Sequence, residues 1–263
     1  MMRIAIDDAA WASPWRHRRV SEKVFWSLGL VITALAAPVV PGTLLVGVVS
    51  LLLILGPAKI SWRMLAGAMA APMVFIIFGV VSVLLSVGTT PVDPYWQFGF
   101  LSITPVSVSM AAKLLGHATC GTLAVMLLAL STPMVDLLNW LLKHKVPAPL
   151  VEVAELTYRM LFILWSTAVS LHDAQVRRCG AMSVRSMAQA KFRLQATASS
   201  AGTLLVRAWD RARRLEAGLQ ARGAEESLAT TVAEPERSMT MWVSAGASIA
   251  VIWLVSLASV ALI

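Results

Sequence analysis

The stretch Leu65-Ala-Gly-Ala-Met-Ala-Ala-Pro-Met-Val-Phe-Ile-Ile-Phe-Gly-Val-Val-Ser-Val-Leu-Leu-Ser-Val87 carries no charge over 23 residues. A helix needs roughly 20 mostly apolar residues to cross the hydrocarbon core of a bilayer, and this run supplies them. It is not alone. Upstream, Val24–Val40 is apolar, Pro41-Gly42 reads as a tight turn, and Thr43–Leu55 is a shorter apolar run ending at Gly56-Pro57. Downstream, Pro105–Leu130 carries only Lys113 and His117, and Met241–Ile263 is charge-free. The whole chain agrees: 263 residues, 58% hydrophobic, only 14% charged, with mean hydropathy +0.75. Soluble domains are about half apolar and about a quarter charged, so lipid must solvate the excess. A disordered chain and a disulfide scaffold are excluded on the same grounds, and Cys120 and Cys179 have no metal-site spacing. Trp26, Trp62, Trp96 and Trp242 lie near run ends, where their rings suit the headgroup region.

Orientation follows from the basic residues, 22 Lys and Arg against 14 Asp and Glu. Arg3, Arg16, Arg18, Arg19 and Lys23 place the N-terminal segment inside; it also holds Asp7, Asp8 and Glu22, so the first run reads as a retained helix rather than a cleaved signal. Lys59 and Arg63 bring the next loop but one inside, and residues 88–104 lie outside. Leu150–Leu171 is apolar enough to tempt a further span, yet contains Glu152, Glu155 and Arg159, each costly at mid-bilayer. Counting it would put residues 173–238, with 11 of the 22 basic residues, outside. The consistent solution is an all-α polytopic protein of about five spans: a membrane domain over 1–130, a cytoplasmic helical insert over 131–240 and a last span over 241–263.

Within the insert, Ser131-Thr132-Pro133 predicts a helix start with a hydroxyl N-cap. Met134, Leu137, Leu138 and Leu141 share one face of a short interfacial helix that stops at Val146-Pro147-Ala148-Pro149. A second helix runs from about Leu150 to Cys179 with Gly180 as its cap, and a third ends at Gly223. In the third, Leu204, Ala208, Ala212, Leu215 and Leu219 form an apolar stripe, beside a basic stripe of Arg207, Arg211 and Arg214. These arginines fit either a face touching anionic headgroups or a docking surface; no nucleic-acid reader motif accompanies them. Two helix ends share one design, Arg177-Arg178-Cys179-Gly180 and Ala221-Arg222-Gly223: a cation in the last turn before a terminating glycine. The pair points to a partner with two equivalent sites.

Catalytic signatures are missing. There is no P-loop, H-E-x-x-H or G-x-S-x-G motif. Met110, Lys113, His117 and Cys120 could share a helical face, but a cation beside the imidazole opposes a metal, so no metal or cofactor is assigned.

These residues resemble the T component of energy-coupling factor (ECF) transporters, in its cobalt-type CbiQ family. Ala221-Arg222-Gly223 matches the second of that group's two Ala-Arg-Gly-like motifs; Arg178 serves in a partial match to the first, with Arg177 in place of alanine and Cys179 ahead of Gly180. Trp15-Arg16-His17-Arg18 with Glu22-Lys23, Ser131-Thr132-Pro133 with Asp136-Leu137-Leu138, and Glu155-Leu156-Thr157-Tyr158-Arg159 are similar to the cobalt branch. The resemblance implies a non-enzymatic inner-membrane subunit that couples a pair of ATP-binding-cassette ATPases, docked at Arg177, Arg178, Gly180, Ala221, Arg222 and Gly223, to a substrate-binding membrane subunit and a small accessory membrane subunit. Cobalt is the implied ion; a nickel or vitamin importer of the same type, and a stand-alone secondary transporter, are the alternatives. Neither paired intramembrane carboxylates nor inverted repeats favour the last.

Overall fold

A computed structural model describes residues 5–37, 39–87, 96–98, 101–179, 187–221, 223 and 238–261. In chain order these form α1 (Ala5–Ala12), a 3-10 turn (Pro14–His17), α2 (Val20–Ala36), a π-helical turn (Val39–Thr43) leading into α3 (Leu44–Leu55), α4 (Trp62–Leu84), strands β1 (Ser86–Val87), β2 (Trp96–Phe98) and β3 (Leu101–Ile103), α5 (Pro105–Ser131), α6 (Met134–Lys143), α7 (Ala148–Cys179), α8 (Met187–Ala221) and α9 (Met239–Ala261). Among the described residues the protein is all-α apart from three short strands. It divides into two compact units, one of Leu138–Val232 and one of Ile4–Leu137 with Ala233–Ile263.

In the second unit, α5 is the central post. Helices α1, α2, α3 and α4 all pack on it, and α9 packs on α2. The core between them is built from Leu30, Ala34, Val46, Ile54, Ala124 and Leu130, none with measurable exposure. Close approach is bought by small residues, as between helices in lipid: a Cβ on Gly47 would lie 2.8 Å from Cys120 Sγ, and one on Gly29 2.5 Å from Ile249 Cδ1. Ser27 Oγ donates to Ala124 O at 2.7 Å, so α2 and α3 lie along the same length of α5.

Among the described residues, Trp62–Leu84, Pro105–Ser131 and Met239–Ser259 are long and apolar enough to cross a membrane. The first two expected runs form shorter helices, 17 residues in α2 and 12 in α3, or about 25 and 18 Å at 1.5 Å per residue. Pro41-Gly42 is not a tight turn between them but part of the π-helical turn that enters α3. The Leu65–Val87 run ends as helix at Leu84; Ser86 and Val87 instead pair antiparallel with Ser102 and Leu101. Trp26 does not face headgroups: it is buried and stacks on Trp15, ring centroids 5.7 Å apart.

Helix ends show why these segments start and stop. Ser61 caps α4 by accepting from Met64 N–H. Thr104 and Ser107 cap α5 reciprocally, with Pro105 in its first turn. The hydroxyl N-cap expected at Ser131-Thr132 does not form. Ser131 still belongs to α5, where its Oγ donates back to Leu127 O at 2.5 Å, and Thr132 Oγ1 is buried without a hydrogen-bond partner. The carbonyl of Pro133 takes the first α6 bond, from Leu137 N–H.

Candidate functional site

The unit holding residues 138–232 is dominated by two long helices. At 1.5 Å per residue, the 32 residues of α7 and the 35 of α8 extend about 48 and 53 Å. They are joined by a polar clasp: Gln175 Nε2 donates to Ala196 O at 3.2 Å and to Ser200 Oγ. Beyond the clasp, an apolar groove of about 680 Å³ runs along α7, lined by Leu156, Met160, Leu161, Leu164 and Trp165, with Leu204 from α8.

The stripe read from the sequence is visible in burial. Leu204, Ala208, Leu215 and Leu219 are half-buried on a helix otherwise exposed from 201 to 221, whereas Ala212 is exposed. Arg207, Arg211 and Arg214 are exposed on the same helix. Arg213 is set 5.8 Å from the Trp209 ring centroid, within reach of a cation–π contact. Sequence periodicity did not single out a second apolar surface here: Leu205, Val206 and Trp209, the last 65% exposed.

At the two helix ends, Arg177 lies exposed in the last turn of α7, and Arg178 is the penultimate residue of that helix. Gly180 and Arg222 lie outside the described residues. Ala221 is the last residue of α8. Gly223 has φ of +64° and its N–H donates to Gln220 O at 3.0 Å, a glycine in the left-handed conformation closing the helix.

The membrane unit holds a polar site that the sequence reading did not weigh. Glu22 and Lys23 are each only 2% exposed. Lys23 Nζ donates to Ser131 O at 3.2 Å, and Ser238 N–H donates to Glu22 Oε1 at 2.8 Å. Lys23 precedes the first apolar run. Burial lowers its ammonium to about 8, against the charges of Asp136 and Glu22, which raise it. Along α5, His117 Nδ1 is 3.0 Å from Lys113 O, Lys113 and Met110 are exposed and Cys120 is buried, so the four residues of that face do not converge. No group of three or more His, Cys, Asp or Glu gathers among the described residues.

Fold and site together define a helical membrane protein carrying two long helices, α7 with its charges balanced and α8 strongly basic. Residues 12–230 match the sequence model of the cobalt transport protein family, CbiQ, and the chain belongs to that family. It is 34% identical over 234 residues to the cobalt transport protein CbiQ of Rhodobacter capsulatus, covering 89% of this chain and 90% of that one. It is 29% identical over 188 residues to the CbiQ of Salmonella typhimurium, covering 66% and 79%. It is also 27% identical over 221 residues to a putative fused cobalt transport protein, CbiMQ, of Methanocorpusculum labreanum, covering 82% of this chain and 36% of the fusion. Membership makes the chain a membrane component of cobalt transport.

Proposed function

We propose that this chain is the transmembrane coupling subunit of an ECF-type importer, passing ATP-driven motion of an ATPase pair to a membrane subunit that captures cobalt. The observation that carries this reading is the pair of long helices α7 and α8, each ending at an arginine-bearing segment, in a compact unit of its own. The basic surpluses of residues 173–238 and of the N-terminal segment, read with the positive-inside rule, support a cytoplasmic face for both.

Each arginine tip, Arg177-Arg178 before Gly180 and Arg222 between Ala221 and Gly223, docks in a groove of one ATPase. A guanidinium suits this anchor because its fixed fork of donors holds a carboxylate bidentately. Closure of the ATPases on ATP displaces the two tips relative to each other. The Gln175 clasp joins the helices as one lever, and the apolar surfaces along them, including Trp165 and Trp209, transmit the shift to the cobalt-binding subunit. The fused CbiMQ relative supports a further membrane component acting beside this one. The ion itself binds in the partner, so this chain needs no ligand set.

Tagged chain purified from its source membranes is expected to bring down an ATP-binding-cassette ATPase and a second polytopic membrane protein. Their absence under mild detergent contradicts the assignment. Uptake of radiolabelled cobalt in preference to nickel by the reconstituted complex tests the substrate.

A further inference from the structure

The chain leaves the membrane unit after Leu137 and re-enters it at Ala233, so two covalent strands tether the helical unit. Ser131, the last residue of α5, stands six residues before the first crossing; Ser238, just ahead of α9, stands five after the second. Both are held by the same turn of α2. Lys23 donates to the carbonyl of Ser131, 108 residues away in sequence, and Glu22 accepts from the N–H of Ser238, 216 residues away. The two side chains are adjacent, opposite in charge and buried.

Stability alone is a poor reason for this arrangement. Buried charges give back in attraction little more than they lose in hydration, and apolar residues of similar volume often pack as well or better. Glu22 also keeps its second oxygen, Oε2, buried without a hydrogen-bond partner, an added cost. What the pair supplies is geometry. A donor is matched to a free carbonyl at one helix end and an acceptor to a free N–H at another helix start, where backbone groups lack intrahelical partners.

We propose that Glu22 and Lys23 are positioning residues that clamp both tethers of the helical unit to one turn of α2, fixing the spacing of Ser131 and Ser238 so that displacement of α7 and α8 reaches the membrane helices undiminished. The proposal rests on the coupling reading above. Polarity is essential to it: position 22 must accept and position 23 must donate.

The test uses the complete complex in liposomes, measuring radiolabelled cobalt uptake and ATP hydrolysis in the same vesicles. Glu22→Leu/Lys23→Met, which removes the buried acid and the buried base together, is expected to lower cobalt moved per ATP by about tenfold while hydrolysis stays within about twofold. Glu22→Gln/Lys23→Arg keeps acceptor and donor and is expected to retain the wild-type ratio. A wild-type ratio in the Leu/Met variant, or an equal loss in the Gln/Arg variant, overturns the clamp. Wild type that hydrolyses ATP without moving cobalt overturns the coupling reading instead. The clamp is then judged on the isolated chain, with spin labels at Met134 and Met239: one narrow distance in wild type that broadens in Lys23→Met supports it, and identical distributions overturn it.

Discussion

Lys145 shows how a single residue sits against its own preference. It follows α6 with φ of +65°, while Val146 N–H reaches back to Leu141 O at 3.4 Å and His144 N–H to the same carbonyl at 3.0 Å. This is the helix-terminating pattern in which glycine usually occupies the left-handed position, and an L-residue with a side chain gives up about 1 kcal/mol or more there. Lys145→Gly is therefore expected to raise stability by about 0.5–1 kcal/mol after the added freedom of the unfolded chain is subtracted, and Lys145→Val to lower it. Thermal unfolding of the purified chain in detergent reads both. Neither the strain at Lys145 nor the burial of Glu22 and Lys23 was legible in the sequence. A lysine after a helix, or an acid–base pair before an apolar run, reads as ordinary interfacial charge. Only chain partners 108 and 216 residues away distinguish the buried pair.

Helices meet through small residues, and here the account makes a sharper demand. The contact of α3 with α5 depends on Gly47 facing Cys120, whose Sγ would lie 2.8 Å from an added Cβ while its own Cβ would lie 3.9 Å away. Gly47→Ala is expected to cost about 1–3 kcal/mol through overpacking. Cys120→Ala in the same chain removes the sulfur and is expected to recover most of that loss, a coupling that a double-mutant cycle on unfolding midpoints measures. At the clasp between α7 and α8, Gln175→Leu removes both bonds to α8. It is expected to speed amide exchange over residues 196–204, read by mass spectrometry. Long elements were the most legible. The apolar runs at Leu65, Pro105 and Met241 locate α4, α5 and α9, and the Leu204–Leu219 stripe reappears in four of its five positions as partial burial. Short elements were not: two- and three-residue strands carry too little alternation to be seen. The Ser131-Thr132 hydroxyls were misplaced because Ser131 serves the end of α5 rather than the start of α6.

Across the whole molecule, the division of charge and apolarity becomes a division of labour. The membrane unit packs four helices around α5 and keeps its polar chemistry at the clamp. The helical unit carries exposed arginines, an apolar groove and the ends of α7 and α8, and no catalytic constellation was found in the sequence. Family membership fixes the transport context, and the docking role of the two helix ends is the part of the account most open to a direct test. That test is to introduce Arg178→Glu with Arg222→Glu and measure ATPase co-purification and ATP-driven cobalt uptake on the same preparation. Like-charge or unpaired contacts at two desolvated anchors cost several kcal/mol in total, so the double variant is expected to lose the ATPase and to abolish uptake, while the chain still inserts in the membrane with its wild-type unfolding midpoint. Wild-type association and wild-type uptake in that variant would contradict the central claim.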